Sequence, residues 1–263
     1  MSGPAPSGGD PRRRSDPATR PHQRTLLRVC GLPAVAALCE RDPGRVERLY
    51  FEPRLRRSVA GFCALLARAR KPYREIGPAE LARVAGTVLH GGVAAIARPQ
   101  PLAAFDAAAI AGWACDGKPL LVLDGVGNPH NLGAIARSAA YFGIARMLLA
   151  DRPDQALPSD ASYRVAEGGL EHLSLHQAPL PRALTGLRRS YRILGTALDG
   201  GAPWTGNAGP KPLVLVFGNE ETGLTAATLA ACDAVMTIPG SGRVQSLNVA
   251  AAAAILIYLA SRR

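Results

Sequence analysis

Val235-Met-Thr-Ile-Pro-Gly-Ser-Gly-Arg-Val-Gln-Ser-Leu-Asn-Val249, followed by the alanine run 250–254 and Ile255-Leu-Ile-Tyr258, is the stretch from which the rest of the chain is read. A β-branched run halts at Pro239, Gly240 and Gly242 loosen the backbone, and Ser246 is expected to open a strongly apolar helix. A strand, a loop and a helix start of this kind offer free backbone N–H and C=O groups to a small ligand. Ser246 and Asn248 would stand at the edge of that junction. An ordinary strand-to-helix connection in an α/β protein has the same pattern, so the stretch acquires meaning only from what surrounds it.

Outward from it, apolar strands recur. Pro119 to Asp124 is a continuous apolar run that only a sheet covered on both faces would bury. A helix is expected from about Leu132 to Phe142, then strands at Ala145 to Leu149, Tyr191 to Ala197, Leu213 to Phe217 and Val235 to Ile238. Such a series reads as a parallel sheet with helices on both sides.

The N-terminal half has its own rhythm. Helices are expected after Pro33, from Leu55 to Arg70 and from Pro78 to Ala85, alternating with strands at Val46 to Phe51, Tyr73 to Ile76 and Val93 to Ala97. This predicts a small three-layer α/β module. Between the halves, residues 99–117 carry Pro99, Pro101, an alanine-rich stretch and Gly117, and are read as a linker. The resulting division is a disordered basic tail at 1–24, a first domain at 25–98, the linker at 99–117 and a second domain at 118–263.

The 263 residues are 48% hydrophobic, enough for sizeable cores. No apolar run reaches the roughly 20 residues of a membrane-spanning helix. Residues 1–24 lack the apolar segment of a signal peptide, so a cytoplasmic protein is expected. Five scattered cysteines without a Cys-x-x-Cys pair argue for buried free thiols over a disulfide framework or zinc site. The net charge of +11 points to a polyanionic partner. Its distribution is uneven: five arginines face two acids in residues 1–24, thirteen Lys and Arg face six acids in 25–98, and thirteen face twelve in 99–263. The anion-binding surface is therefore expected in the first half, where Arg54, Arg56, Arg57, Arg68, Arg70, Lys71 and Arg74 are interrupted by few acids. Tyr50, Phe51, Phe62 and Tyr73 lie among apolar neighbours and are not read as base-stacking platforms.

Ligands in open α/β sheets gather beyond the carboxyl ends of the strands. Three loops there are unusual. The first, Asp124-Gly-Val-Gly-Asn-Pro-His-Asn-Leu-Gly-Ala-Ile-Ala-Arg137, has a dinucleotide-like start, but His130 stands where a third glycine is needed, and a nucleotide-dependent oxidoreductase loses ground. Asn131 can fix the loop or cap the helix, and Arg137 can grip a phosphate or carboxylate or be a surface residue. The second, Phe217-Gly-Asn-Glu-Glu-Thr-Gly-Leu224, sets Glu220 and Glu221 at a strand end, where they accept hydrogen bonds or merely charge a helix turn. The third is the opening stretch. His172 and His176, four apart, would share a helical face but lack the flanking residues of a metal site. Asp124 is read as a loop cap more readily than as an acid/base partner of Glu220.

Taken together, Asn-x-x-Asn-Leu-Gly-Ala-x-x-Arg-x-Ala from Asn128, Phe-Gly-Asn-Glu-x-x-Gly-Leu from Phe217, and Ile-Pro-x-x-Gly-x-Val-Gln-Ser-Leu-Asn-Val from Ile238 resemble the three ordered motifs of the SpoU branch of the SPOUT RNA methyltransferases. The likeness runs from Leu120 to Tyr258. The basic module ahead of it, ending in His90-Gly-Gly-Val-Ala-Ala95, resembles the ribosomal-protein-like substrate-binding domain of many members.

The resemblance implies an α/β protein with a C-terminal SPOUT-type parallel sheet tied in a trefoil knot, a feature the general rules of topology would not suggest. It implies transfer of a methyl group from S-adenosylmethionine to a ribose 2′-hydroxyl of rRNA or tRNA by a homodimer whose site is completed across the subunit interface. No metal and no membrane are implied. Carried over by motif position, Gly218, Ile238 and Leu247 would hold the cofactor, with Thr196, Ala197, Phe217 and Asn219 nearby. Arg137 would be catalytic, supported by Glu220, Ser246 and Asn248, while Asn131 would brace the knot. Because a free guanidinium keeps its proton throughout the physiological range, Arg137 is either a base made unusually acidic by its surroundings or a phosphate clamp that orients the ribose. The competing reading is a non-catalytic RNA-binding protein that retains the fold. Gly240 stands where methionine is usual, Ala250 where serine is common, and Ala166-Glu-Gly-Gly-Leu-Glu-His172 departs from the Ser-x-Gly-Ala turn of many relatives.

Overall fold

The computed structural model describes residues 26–106, 109–203 and 209–261; the expected disordered tail lies outside them. In the first unit, β1 (Leu27–Cys30), β2 (Val46–Phe51), β3 (Tyr73–Glu75) and β4 (Val93–Ala97) form a sheet of order β1-β4-β2-β3. Helices α1 (Leu32–Arg41), α2 (Arg56–Arg68) and α3 (Pro78–Ala85) cover it. Strand alternation explains the layering: Val93, Ala95 and Ala97 of β4 pack with Val35, Leu38 and Val59, while Ala94 packs with Leu81 and Ala85 of α3. The three-layer expectation holds for this unit. β1, which the sequence pattern did not reveal, is a four-residue edge strand.

The stretch read as a linker contributes β5 (Ala103–Ala104) and α4 (Ile110–Ala114), and β5 pairs in parallel with the edge of the second sheet. That sheet continues with β6 (Leu120–Asp124), α5 (Pro129–Tyr141), β7 (Arg146–Ala150), α6 (Asp160–Ala166), β8 (Ser174–Ala178), α7 (Leu180–Leu187), β9 (Arg192–Thr196), β10 (Leu213–Gly218), α8 (Ala226–Ala230), β11 (Ala234–Met236) and α9 (Val249–Ser261). Its seven strands run in the order β11-β9-β10-β6-β7-β8-β5, and every pairing is parallel. All residues of β6 and β10 are buried, as their unbroken apolar sequence requires when helices cover both faces.

The order reverses between β6 and β10. From β6 the chain proceeds outward through β7 and β8, then returns to build the other side through β9, β10 and β11. Gly218 is in register with Asp124, so the loops after β10 and β6 begin at the same level. Such a switch point opens the crevice in which α/β proteins bind ligands.

The two units share one apolar core. A buried polar cluster fastens them: Arg45 donates to Glu171 (2.6 Å), Tyr163 (2.9 Å) and the Arg98 carbonyl (3.0 Å). Burial pushes the Tyr163 phenol up to about 12 and the Glu171 carboxyl above its ordinary range, with Arg45 pulling back on both.

Candidate active site

The loop after β6 is anchored on several sides. Gly125, at φ 80°, donates its N–H to Gln155 Oε1 (2.9 Å), and its carbonyl accepts from Asn219 Nδ2 (2.8 Å). Asp124 is buried at 2% exposure, bound by Arg152 Nη1 (3.0 Å) and by Thr228 Oγ1 (2.6 Å). It therefore ties loops together and does not pair with Glu220. Asn128 caps α5 by accepting from the His130 N–H (2.8 Å), and Pro129 follows at the first turn, where its missing N–H has no cost. Asn131 is thereby freed from the capping role.

Asn131 instead joins all three loops. Its Nδ2 donates to Glu220 Oε1 (2.7 Å), and its Oδ1 accepts from Asn248 Nδ2 (3.0 Å). Glu220 also accepts from the Gly127 N–H (3.2 Å) and, more weakly, from the Asn128 N–H (3.4 Å). Glu220 thus takes one side-chain and two backbone donors, which fix the loop after β10 against the loop after β6. Replacing Asn131 with alanine removes a donor from Glu220 and the acceptor of Asn248; a stability loss of about 1–3 kcal/mol in urea denaturation is expected.

Asn248 also corrects the expected helix start. Its Oδ1 accepts from the Ala250 N–H (2.8 Å), and its carbonyl accepts from the Ala252 N–H (3.0 Å), so α9 begins at Val249 and Ser246 belongs to the loop. The side chain of Asn248 therefore caps the helix and contacts Asn131 at once. Residues 239–248 are exposed throughout, Leu247 at 47%.

The other cofactor-site candidates cluster at the ends of β9, β10 and β11, three adjacent strands. Thr196 donates through Oγ1 to the Val216 carbonyl (3.0 Å). Ala197 donates to the Met236 carbonyl (3.0 Å) and accepts from Thr237 Oγ1 (3.1 Å), while Thr237 Oγ1 also receives the Gly201 N–H (3.1 Å). Ile238, half-buried, follows directly. Phe217 is fully buried in the core, so only its backbone can serve a ligand. Gly218 is required by close packing: a Cβ there would come within 2.4 Å of the Gly223 carbonyl carbon and 2.5 Å of the Leu224 nitrogen. Asn219 and Gly223 exchange two backbone hydrogen bonds (3.1 and 3.0 Å), closing this hairpin-like turn.

Arg137 stands apart from this network. It lies six residues beyond Asn131 on α5, about 9 Å of helix rise. Its Nη2 pairs with Glu167 Oε2 at 2.9 Å, both side chains being about half exposed. It shares an exposed face with Tyr141, 84% exposed, whose ring meets Phe142 (centroids 5.1 Å), which in turn meets Tyr258 of α9 (5.8 Å).

The basic cluster of the first unit is more neutralised than its sequence spacing suggested, because acids both near and distant in the chain meet it. Arg56 makes a bidentate pair with Glu75 (2.7 Å twice), Arg54 pairs with Glu52, Arg74 with Glu80 and Lys71 with Glu47. Arg57 and Arg68, one helical face of α2, are exposed. His172 and His176 do not share a helix: His172 accepts from Arg41, and His176 sits on β8 against Trp113 (ring centroids 4.6 Å). Among the described residues no group of three His, Cys, Asp or Glu could hold a metal, and no helix is long and apolar enough to cross a membrane.

Gln155, Arg152 and Thr228 escaped the sequence reading, and Glu167 entered it only as part of an atypical turn. Gln155 and Arg152 act some 30 residues from their targets, Thr228 more than 100, and none stands in a motif.

Comparison with known proteins fits this geometry. Residues 118–258 match the SpoU rRNA Methylase family, and residues 28–103 match the family of RNA 2′-O ribose methyltransferase substrate-binding domains. The chain is 33% identical to the 23S rRNA (guanosine-2′-O-)-methyltransferase RlmB of Acinetobacter baylyi, over 89% of this chain and 96% of that one. It is 31% identical to the uncharacterized tRNA/rRNA methyltransferase YfiF of Escherichia coli O157:H7, over 92% of this chain and 70% of its relative. The fold is that of the AdoMet-bound rRNA methyltransferase of Sinorhizobium meliloti, with a TM-score of 0.75 and 24% identity over 90% of this chain and 87% of that one.

Proposed function

The chain belongs to the SpoU rRNA methylase family, and from that premise we propose that it transfers a methyl group from S-adenosylmethionine to a ribose 2′-hydroxyl of rRNA or tRNA. The observation that carries this reading is the joining of the three motif loops at the sheet's switch point through Glu220, Asn131 and Asn248.

Residues 118–261 form the methyltransferase unit in this reading and the preceding basic unit binds RNA. The residues present suit the cofactor. The ends of β9, β10 and β11 offer backbone groups, Ile238 and Leu247 add apolar side chains, and Gly218 lets the Gly223–Leu224 backbone close tightly on the end of β10. Gly218, Ile238 and Leu247 hold the cofactor, flanked by Thr196, Ala197, Phe217 and Asn219. When bound, S-adenosylmethionine supplies a strongly electrophilic methyl carbon. The chain's task is then to align the 2′-oxygen and relieve it of its proton. Glu220, Asn131 and Asn248 fix the loops, Ser246 lines the rim, and Arg137 grips the RNA phosphate that orients the ribose.

Since Arg137 is some way from the network within one chain, the complete site takes this residue from a second copy. The exposed aromatic surface of Tyr141 and Tyr258, joined through Phe142, supports a homodimer, with the loop 239–248 folded down over bound cofactor. The knot of the fold family and a cytoplasmic location belong to the same proposal.

The experiment is transfer of labelled methyl from S-adenosylmethionine to unmodified rRNA and tRNA, followed by mapping of 2′-O-methyl positions. Absence of transfer to either RNA, with no calorimetric heat from the cofactor, would sink the reading in favour of a non-catalytic RNA-binding protein. RNA affinity is expected to fall with salt, and Arg57→Gln with Arg68→Gln to flatten the log–log slope by about 0.7–0.9 for each phosphate that is no longer neutralised. An unchanged slope removes this helix face from the RNA-binding surface.

A further inference from the structure

Glu167 occupies an unusual position. It terminates α6 in the left-handed region, at φ 46° and ψ 43°, where glycine or asparagine is the ordinary choice. A long charged side chain held there points to a use for the charge. Its Oε2 lies 2.9 Å from Arg137 Nη2.

The turn that carries Glu167 is wedged between both units. A Cβ on Gly168 would come within 2.9 Å of Ala37 Cβ and 3.0 Å of the Pro33 carbonyl, on α1. A Cβ on Gly169 would come within 2.8 Å of Arg137 Cα and 2.9 Å of the Ala136 carbonyl. Backbone is thus pressed directly on backbone at the arginine itself. Two residues later Glu171 is clasped by Arg45, and His172 accepts from Arg41. The carboxylate of Glu167 is therefore delivered to Arg137 by a turn with little freedom to move.

We propose that Glu167 is a positioning residue, an internal counter-ion that holds the Arg137 guanidinium until an RNA phosphate displaces it. This inference rests on the RNA methyltransferase reading given above. An ion pair with both partners half exposed is weak enough for a polyanion to break. It nevertheless costs the RNA something, since the guanidinium must leave its carboxylate before it can neutralise a phosphate and release that phosphate's condensed cation, and the carboxylate repels the arriving phosphate. RNA held only by the basic first unit would leave the pair closed, whereas RNA that sets a phosphate against α5 would open it. The device is a filter on substrate placement, consistent with the turn being the place where this chain departs from the Ser-x-Gly-Ala pattern.

The test uses the full chain with Glu167→Gln, and Glu167→Gly as a second variant that fits the left-handed backbone. Binding to an unmodified 23S rRNA transcript and to an unmodified tRNA pool is measured between about 50 and 200 mM salt, with steady-state methylation in parallel. Both variants should bind whichever RNA accepts methyl about three- to fivefold more tightly at low salt. The salt slope should steepen by about 0.7–0.9, and KM should fall with kcat moving less than about twofold. Unchanged affinity and slope in both variants overturns the inference, as does a fall in kcat at constant KM. Methylation by the unaltered protein separates the two claims: no transfer refutes the enzymatic reading, while transfer with an unchanged variant slope refutes only the role of Glu167.

Discussion

Arg137→Ala is expected to lower methyl transfer by about 10²- to 10⁴-fold while S-adenosylmethionine affinity and the melting curve stay near those of the unaltered protein. The first half follows from what a guanidinium alone among cations supplies, a planar fork that binds two phosphate oxygens at once. The second half follows from its surroundings. Arg137 is half exposed on α5 and its pair with Glu167 is solvated, so truncation removes at most about 1 kcal/mol of stability. The cofactor candidates Gly218 and Ile238 belong to other strand ends and keep their contacts. Arg137→Lys retains the charge but loses the fork, and should remain far below normal turnover. Near-normal turnover by the lysine variant would refute both the clamp and the proton-acceptor role.

Arg45→Met should cost about 3–5 kcal/mol of stability, read from the midpoint of urea or thermal unfolding. Arg45 is 5% and Glu171 2% exposed, and the bond between them is 2.6 Å. Methionine fills comparable space but strands the buried carboxylate without its ion-pair partner. The loss should depend on pH in a definite sense. Burial already holds the Glu171 carboxyl above its ordinary range, and removing Arg45 raises it further. Below the ordinary carboxylate value Glu171 is neutral in both folded and unfolded chains, and the variant retains most of its stability. As pH rises from that value through the raised folded one, the unfolded chain releases its proton first and stability is lost. Arg45→Met should therefore be more impaired at pH 8 than at pH 5. Pairing it with Glu171→Leu should restore much of the loss. Equal destabilisation at both pH values would show that Glu171 is not the stranded group.

Strong apolar runs made much of this architecture legible in advance. Pro119 to Asp124 could be buried only in a doubly covered sheet, and β6 is such a strand. Val46 to Phe51, Pro78 to Ala85 and Val93 to Ala97 appear where their periodicities place them. Ser174-Leu-His-Gln-Ala178, by contrast, becomes a strand only because β7 and β5 flank it; its mixed polarity gives no local signal. The start of α9 was misread because Asn248 does two jobs, capping the helix and bonding Asn131, and the second is invisible without the fold. Charge was the least legible of all. The arginines of the first unit looked free in sequence, yet Arg56 and Arg74 meet Glu75 and Glu80 once β3 and α3 are folded. Glu167, in turn, registered as a departure from a motif and showed its partner only in three dimensions.

The bonds that join the three loops connect residues 89 and 117 positions apart in the chain, Asn131 to Glu220 and Asn131 to Asn248. Contacts of such range form late, after the loops between them have been closed at an entropic cost. While a new chain is being made, the whole first unit, whose longest strand pairing joins Leu27 to Ala97, is synthesised well before the loop 239–248 that closes the candidate pocket. In the proposed reading, the chain under synthesis would therefore carry its RNA-binding residues before it held those that alter RNA.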